Sequence, residues 1–240
     1  MRITFLGTGD AFSNEGRNNV SILIESHDLD LRILLDCSPQ CIPSLRKLGL
    51  KISDLDYLFI THIHGDHVAG LPFMALSLIY SEIGGRFSVL GPPGIEKFLK
   101  TSYALFYGSG SPEHTIDFLP LDAKLPIKMR HISSRHSVPG LIYRLELEGK
   151  SIVYTGDTAK VDLSVFAKGA DLLIHEASDE TEDPTSGHST LKQAAENARD
   201  SQVEKLFVVH RPKIDPELIQ AAKTSFENIF FPDDGEVVEL

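Results

Sequence analysis

The stretch Thr61-His62-Ile63-His64-Gly65-Asp66-His67 decides how this chain is interpreted. It follows the apolar run Tyr57-Leu58-Phe59-Ile60, so we place it on a loop at the end of a buried strand. Four side chains that can bind a metal ion lie within six positions, and imidazole and carboxylate are ligands that zinc prefers. The two histidines of the His-x-His pair can converge on one ion. The adjacent aspartate and histidine can turn toward a second ion.

The composition is that of a globular protein and narrows the class of partner. The chain has 240 residues, of which 42% are hydrophobic and 24% charged, so we expect one domain spanning residues 1–240. The most apolar uncharged region, residues 68–81, is shorter than the ~20 residues that a membrane span requires, so no membrane partner is expected. The net charge of −11 argues against sequence-independent binding of long nucleic acids. Cys37 and Cys41 are expected to be reduced thiols, which predicts a cytoplasmic location.

Strand and helix patterns alternate along the chain, which indicates an α/β protein. Strands are predicted at residues 2–6, 20–25, 31–35, 57–61, 87–90, 127–132, 141–147, 151–154, 172–175, 205–210 and 236–240. Helices are predicted at residues 39–48, 71–83, 94–107, 163–168, 191–200 and 216–226. Thr190 or Ser189 is a suitable N-cap for the fifth of these helices.

The motif order resembles the metallo-β-lactamase fold superfamily over nearly the whole chain. Besides the histidine-rich loop, the matching features are Phe5-Leu6-Gly7-Thr8-Gly9, Asp36 after a strand, His136 before Ser-Val-Pro, Asp157 in Thr-Gly-Asp-Thr, and His210 after a strand. This resemblance implies a four-layer αββα sandwich with a two-metal site at one edge of its two sheets.

Carried over to this sequence, the resemblance implies a complete set of metal ligands. The first ion would be held by His62, His64 and His136, the second by Asp66, His67 and His210, and Asp157 would bridge the two ions. Two Zn²⁺ ions are expected, with Mn²⁺ or another divalent ion as the alternative. A metal pair lowers the pKa of a shared water toward ~7, which suits hydrolysis of phosphodiesters, esters, lactones or amides. His131 is the alternative to His136, but it lacks the following Ser-Val-Pro.

Two further stretches resemble the ribonuclease Z branch of the superfamily: Ile174-His175-Glu176-Ala177-Ser178 and Gly187-His188-Ser189-Thr190. The resemblance implies that His188 binds phosphate or acts as general acid and that Glu176 orients it. The ligand set favours a mechanism in which Asp66 orients the attacking hydroxide or accepts its proton. The predicted substrate-binding residues are Arg17 and Asn18, which resemble the end of a loop that contacts an RNA 3′ end, together with Ser189, Thr190 and Arg211.

The chain departs from ribonuclease Z in one large feature. Ribonuclease Z enzymes hold the tRNA body with an arm inserted between the third-motif histidine and the bridging aspartate. Here only 21 positions separate His136 from Asp157, and two predicted strands with the turn at Glu148-Gly149-Lys150 fill them. We therefore expect a di-zinc phosphodiesterase that acts on an RNA 3′ end or on a small cyclic or nucleotide phosphodiester.

Other activities remain open on the sequence alone. Hydrolysis of thioesters or lactones would use the same ligands, but those relatives normally lack the Gly-His-Ser-Thr element. A di-iron redox protein of this fold would generally carry an acid in place of His64, and a non-catalytic module would have lost ligands that are all present here. A homodimer is expected because the arm-bearing relatives are commonly dimers.

Overall fold

The computed structural model describes residues 1–80, 85–108, 112, 115–183 and 185–240. Its first sheet has seven strands in the order β13-β1-β2-β3-β4-β5-β6. These strands are β1 (Arg2–Gly7), β2 (Ser21–Ser26), β3 (Leu31–Leu35), β4 (Tyr57–Phe59), β5 (Phe87–Leu90), β6 (Ile116–Phe118) and β13 (Val237–Glu239).

The second sheet has six strands in the order β12-β11-β10-β9-β8-β7. They are β7 (Lys128–Ser133), β8 (Leu141–Leu147), β9 (Lys150–Tyr154), β10 (Leu172–Glu176), β11 (Lys205–Val209) and β12 (Ile229–Phe230). The strands from β9 to β12 run parallel, whereas β7, β8 and β9 form an antiparallel meander.

The two sheets pack face to face over a shared core. Phe5 of β1 stacks on Phe207 of β11 with ring centroids 5.4 Å apart, and Phe59 meets Tyr143 edge-on at 5.3 Å. The side chains of β1 alternate, because Ile3 and Phe5 enter this middle layer whereas Leu6 packs in the cluster on the opposite face.

Helices cover the outer face of each sheet. The helices α1 (Cys41–Lys47), α3 (Leu71–Ile79) and α4 (Ile95–Tyr107) share a buried cluster with the first sheet. The helices α5 (Leu191–Asp200) and α6 (Pro216–Ser225) share another with the second sheet, and the short α2 (Gly65–Val68) lies in the histidine-rich loop. This is the four-layer αββα sandwich that the resemblance implies. Within the described part of the chain, no helix has the length and apolar character needed to cross a membrane.

The local predictions differ from the structure in several places. The sequence places the histidine-rich stretch on a loop, but its residues Gly65–Val68 form the short helix α2, and the predicted helix 71–83 is observed as α3, with residues 81–83 outside the described part of the chain. Residues 163–168 form turns rather than a helix, because the single backbone turn from Leu163 to Ala167 is followed by Gly169 in a left-handed conformation. The strands β6 and β12 were not predicted, since each is three residues or shorter and lies at a sheet edge. The predicted N-cap is confirmed, because the Thr190 hydroxyl accepts a hydrogen bond from the Gln193 N–H at 3.2 Å.

The topology brings several strand ends to one edge of the sandwich. The parallel strands β9, β10 and β11 end side by side, and β4 of the other sheet ends just before the histidine-rich loop. The Leu141 N–H donates to the Thr61 carbonyl at 2.9 Å and so ties the two sheets together at this edge. Gly156 adopts a φ of +53° there, and a Cβ on it would lie 2.6 Å from the Thr61 side chain. Only glycine satisfies both constraints without rearrangement.

Candidate metal centre

Three histidines and one aspartate form the first group of converging ligands. His62, His64, His136 and Asp157 each offer an atom, and these atoms all lie within 4.8 Å of one another. The Asp157 Oδ2 atom is 3.6 Å from His62 Nε2 and 3.9 Å from His136 Nε2. His136 Nε2 in turn lies 3.0 Å from His64 Nδ1. The structure therefore brings together all the residues predicted for the first ion.

A second group shares the same aspartate. Asp66, His67, Asp157 and His210 also converge within 4.8 Å. His67 Nε2 lies 3.3 Å from both Asp66 Oδ2 and Asp157 Oδ1, and His210 Nε2 lies 3.1 Å from Asp66 Oδ2. One carboxylate oxygen of Asp157 thus faces each group, which is the arrangement that a bridging ligand requires.

The outer nitrogens of the histidines are held by hydrogen bonds that turn the inner nitrogens toward the centre. His67 Nδ1 lies 2.8 Å from Asp36 Oδ2, and His136 Nδ1 donates to the Gly187 carbonyl at 2.8 Å. His62 Nδ1 lies 3.0 Å from the Thr61 hydroxyl, which itself donates to Asp36. Such outer partners fix the tautomer and the ring orientation of metal-binding histidines.

Asp36 organises this outer layer from a completely buried position. Its carboxylate accepts hydrogen bonds from the Thr61 backbone N–H at 2.7 Å and from the Tyr154 hydroxyl at 2.7 Å, besides its contact with His67. Sequence reasoning assigned no role to Tyr154 or Thr61. Tyr154 is the final residue of β9, and its side chain lies in the middle layer between the sheets, which only the sheet pairing reveals.

The chemistry of the cluster fits a bound cation. His62 Nε2, His67 Nε2 and Asp157 Oδ1 are buried without a hydrogen-bond partner among the described residues. Burial, reinforced by His67, lowers the pKa of His62 to about 2, so its imidazole is neutral and able to bind a metal. Burial opposes protonation of His67, but Asp157 and Asp36 raise its pKa well above the usual range, so a proton supplies positive charge there when no cation does. Imidazole and carboxylate donors suit zinc and manganese.

A histidine–glutamate pair lies beside the ligands. Glu176 is 1% exposed, and its carboxylate accepts hydrogen bonds from the backbone N–H groups of Thr158, Ser178 and Ser189 at 2.8–3.1 Å. His188 Nδ1 lies 3.1 Å from Glu176 Oε1, and its ring centroid is 4.9 Å from that of His136. Burial lowers the pKa of His188, but the hydrogen bond and charge of Glu176 outweigh it and raise the pKa to about 9. The imidazole is therefore cationic at neutral pH before a metal binds.

Three of the predicted substrate-binding side chains already have partners within the fold. The Asn18 amide donates to the Leu6 carbonyl at 3.1 Å. The Ser189 hydroxyl, which is completely buried, donates to the Thr158 carbonyl at 2.7 Å, and the Thr190 hydroxyl caps α5. Their contact with substrate remains a prediction.

The two predicted arginines lie near enough for the charge of Arg17 to act on Arg211. Arg211 is 6% exposed, and its guanidinium lies over the Phe231 ring with 5.4 Å to the centroid. Burial and the neighbouring charge of Arg17 lower the pKa of Arg211. The side chain of Arg17 pairs with Glu15 and lies 3.6 Å from Asp233. A substrate contact by either arginine stays a prediction.

The choice between His136 and His131 has a plain structural reason. His131 lies on β7 with an exposed side chain, outside the ligand groups of the described residues, whereas His136 follows β7 on the loop that returns to β8. On that loop, His136 Nδ1 donates a hydrogen bond to the Gly187 carbonyl, which fixes the orientation of the ring.

Comparison with known proteins agrees with the fold and with the motifs. Residues 1–103 match the family described as Anti-Pycsar protein Apyc1. The chain is 27% identical to a ribonuclease Z of Metallosphaera sedula over 293 aligned positions, covering 100% of this chain and 99% of that protein. The resemblance to the ribonuclease Z-like branch is thereby confirmed.

Two solved structures show the same fold over the whole chain. The metallo-β-lactamase fold protein YhfI from Bacillus subtilis superimposes with a TM-score of 0.85 at 22% identity, covering 100% of this chain and 98% of that one. The short form of human tRNase Z superimposes with a TM-score of 0.78 at 22% identity, covering 100% and 99%.

Proposed function

We propose that this chain, a metal-dependent hydrolase of the ribonuclease Z-like branch of the metallo-β-lactamase fold, is a single-domain phosphodiesterase that uses two divalent ions. Zinc is the ion that the ligand set favours, with manganese as the alternative. The proposal is supported by the two ligand groups that share Asp157, each of which supplies four donors. His62, His64 and His136 would hold one ion, and Asp66, His67 and His210 the other.

Two protein groups would handle protons on either side of the reacting phosphorus. A divalent metal pair supplies an activated water and neutralises charge that develops on the phosphate. The side chain of Asp66 is 12% exposed and so can orient the attacking water or accept its proton. The His188 side chain is 23% exposed and would donate a proton to the leaving oxygen, while Glu176 holds the imidazole in place.

The connection between β8 and β9 favours a small substrate. These strands join through a tight turn at Glu148 and Gly149, so no arm projects between His136 and Asp157. The alignment with the ribonuclease Z of Metallosphaera sedula extends over 293 positions, whereas this chain has 240 residues. With a net charge of −11, the surface offers little general attraction for a tRNA body. We therefore propose a cyclic or nucleotide-sized phosphodiester as the substrate, with an RNA 3′ end as the second candidate.

The test compares four substrates on the metal-loaded protein: bis-(p-nitrophenyl) phosphate, a 3′,5′-cyclic nucleotide, a tRNA precursor with a 3′ trailer, and a lactone. We expect turnover of the two small diesters without trailer cleavage. Trailer cleavage would establish the RNA candidate instead. Turnover of the lactone alone would refute phosphodiester chemistry.

A pair of histidine variants checks the proton donor in the same assay. His188→Ala should lower kcat on the small diesters by about 100-fold or more, the range of general acid catalysis. His27→Ala is the control, since that side chain is 62% exposed and outside the ligand groups of the described residues. Equal activity of the two variants would remove His188 from the mechanism.

We further propose that two copies associate through an apolar face on α3 and α4. Phe73 stacks on Phe106 with centroids 5.8 Å apart, and Tyr80 at the end of α3 and Leu105 of α4 are each 78% exposed. These four side chains expose on the order of 500 Å², more than half of the ~800 Å² that each partner buries in a stable interface. Light scattering should show a dimer that Leu105→Glu dissociates; a monomeric wild-type chain would contradict the proposal.

The proposed location is the cytoplasm. Cys37 and Cys41 are buried and free, with sulfur atoms 3.5 Å apart, as expected where thiols stay reduced.

A further inference from the structure

The Ser178 hydroxyl contacts two different atoms of one metal-ligand candidate, His210. Ser178 lies two residues beyond Glu176, just after β10, and is half-buried. Its hydroxyl oxygen lies 2.6 Å from His210 Nδ1 and 2.7 Å from the His210 backbone carbonyl. Neither the sequence motifs nor the ligand set assigns a role to this side chain.

Counting hydrogens settles the direction of both contacts. A serine hydroxyl has one hydrogen, and a carbonyl oxygen can only accept. The Ser178 hydroxyl therefore donates to the His210 carbonyl, and it must accept from a hydrogen carried by Nδ1. With its hydrogen on Nδ1, the neutral His210 ring has a bare lone pair on Nε2, 3.1 Å from Asp66 Oδ2. Two such acceptors are compatible at this distance when a cation lies between them, and a proton on Nε2 can take that place when no cation is bound.

The same hydroxyl supports an uncommon backbone conformation. His210 has a φ of 45°, in the left-handed region that residues other than glycine seldom adopt. Its N–H donates to the Thr8 carbonyl at 2.8 Å, and its own carbonyl is held by Ser178. Ser178 also donates its backbone N–H to Glu176 Oε2 at 2.8 Å, which joins this contact to the partner of His188.

We propose that Ser178 is a positioning residue that fixes the Nδ1–H tautomer of His210 and thereby keeps Nε2 available to the second metal ion. The inference rests on the proposed metal-dependent function, because it concerns one ligand of that site. A purely structural brace is the competing explanation. It would support the left-handed backbone of His210 without affecting how tightly the ion is bound.

The experiment measures zinc affinity by competition with a chelator, in the absence of substrate. Outer partners of ligand histidines typically contribute 10- to 100-fold to metal affinity, so Ser178→Ala should weaken binding of the second ion by at least about tenfold. Ser178→Thr keeps the hydroxyl and should bind within about threefold of the wild type. Ser164→Ala is the matched control, because Ser164 is also half-buried and its side chain hydrogen-bonds Asp162 instead.

A spectroscopic readout separates positioning from bracing. Long-range ¹H–¹⁵N correlation of the zinc-loaded protein should show His210 with its proton on Nδ1, and Ser178→Ala should lose or mix this tautomer. Wild-type zinc affinity and an unchanged tautomer in Ser178→Ala would overturn the inference, even if the variant melts earlier. A wild-type protein that turns over no diester while Ser178→Ala still weakens zinc binding would refute the proposed substrate and leave the inference standing.

Discussion

Replacing Tyr154 with phenylalanine removes one hydrogen bond from the buried Asp36 carboxylate without changing the packing of the ring. The Tyr154 hydroxyl donates to Asp36 Oδ2 at 2.7 Å, and the residue is 2% exposed. Burial, together with the nearby Asp36, raises the pKa of Tyr154 well above its usual value, so the phenol remains a donor at any working pH. Asp36 contacts His67, and so the change reaches the metal centre through one intermediate residue.

The expected loss of stability in Tyr154→Phe follows from the negative charge of the acceptor, the Asp36 carboxylate. Hydrogen bonds to charged groups contribute about 1.5–3 kcal/mol to stability, against about 1 kcal/mol for neutral pairs. Tyr143→Phe provides the neutral comparison, because its buried hydroxyl donates to the Ile60 carbonyl at 2.8 Å. For a chain of this size, 1 kcal/mol moves Tm by about 2–4 °C. Tyr154→Phe should therefore lower Tm by about 3–12 °C, and Tyr143→Phe by about 2–4 °C.

The assay is thermal unfolding of the metal-loaded variants, followed by competition for zinc with a chelator. Zinc affinity should fall by about tenfold in Tyr154→Phe and stay at the wild-type level in Tyr143→Phe. Equal Tm values and equal zinc affinities for the two variants would refute the reasoning, because only the Tyr154 hydroxyl donates to a charged group, the Asp36 carboxylate.

Three further predictions concern the proton donor, the metal and acid stability. Glu176→Gln should lower kcat on a small diester by about 10- to 100-fold, because the amide holds the His188 imidazole less firmly, and an unchanged kcat would contradict the orienting role of Glu176. Removing bound metal with a chelator should lower Tm by about 10 °C, because ions present at ~1,000 times their Kd stabilise the folded state by about 4 kcal/mol; an unchanged Tm would argue against a bound ion. Hydrogen bonds from Ser26 and the Asp28 N–H lower the pKa of Glu148 from its ordinary 4.5 to about 2. The ionised carboxylate therefore stabilises the fold fully above about pH 4.5, and this stabilisation is lost as the pH falls toward about 2. Urea unfolding should accordingly show Glu148→Gln to be more destabilising at about pH 7 than at about pH 3. A difference that does not change with pH would contradict this assignment.

The layer order and the ligand set were accessible from the sequence because the motifs and their order resemble those of the metallo-β-lactamase fold superfamily. The predicted metal ligands follow the ends of buried strands or lie on loops between them, and parallel strands end at one edge of a sheet. Asp157 and His210 follow β9 and β11, and the structure brings them together for that reason. The histidine-rich loop follows β4 of the opposite sheet, and the two-sheet architecture that the resemblance implies brings these residues to the same edge.

The outer contacts could not be predicted, because they depend on register and on backbone geometry. The Tyr154 hydroxyl reaches Asp36 across the space between the two sheets, over 118 positions of sequence. Ser178 meets His210 because β10 and β11 are in parallel register and because His210 adopts a left-handed φ. The side chain of Arg211 likewise stacks on Phe231, a neighbour that no motif in the sequence indicates.

Metal content and diester turnover of two histidine variants test the central claim most directly. His136 belongs to the first ligand group, whereas His131 is five positions earlier on an exposed part of β7. We predict two divalent ions per chain in the wild type and in His131→Ala, with full turnover of bis-(p-nitrophenyl) phosphate. His136→Ala should lose about one ion and most of its activity. Two ions and full turnover in His136→Ala, or no bound ion in the active wild type, would contradict the account.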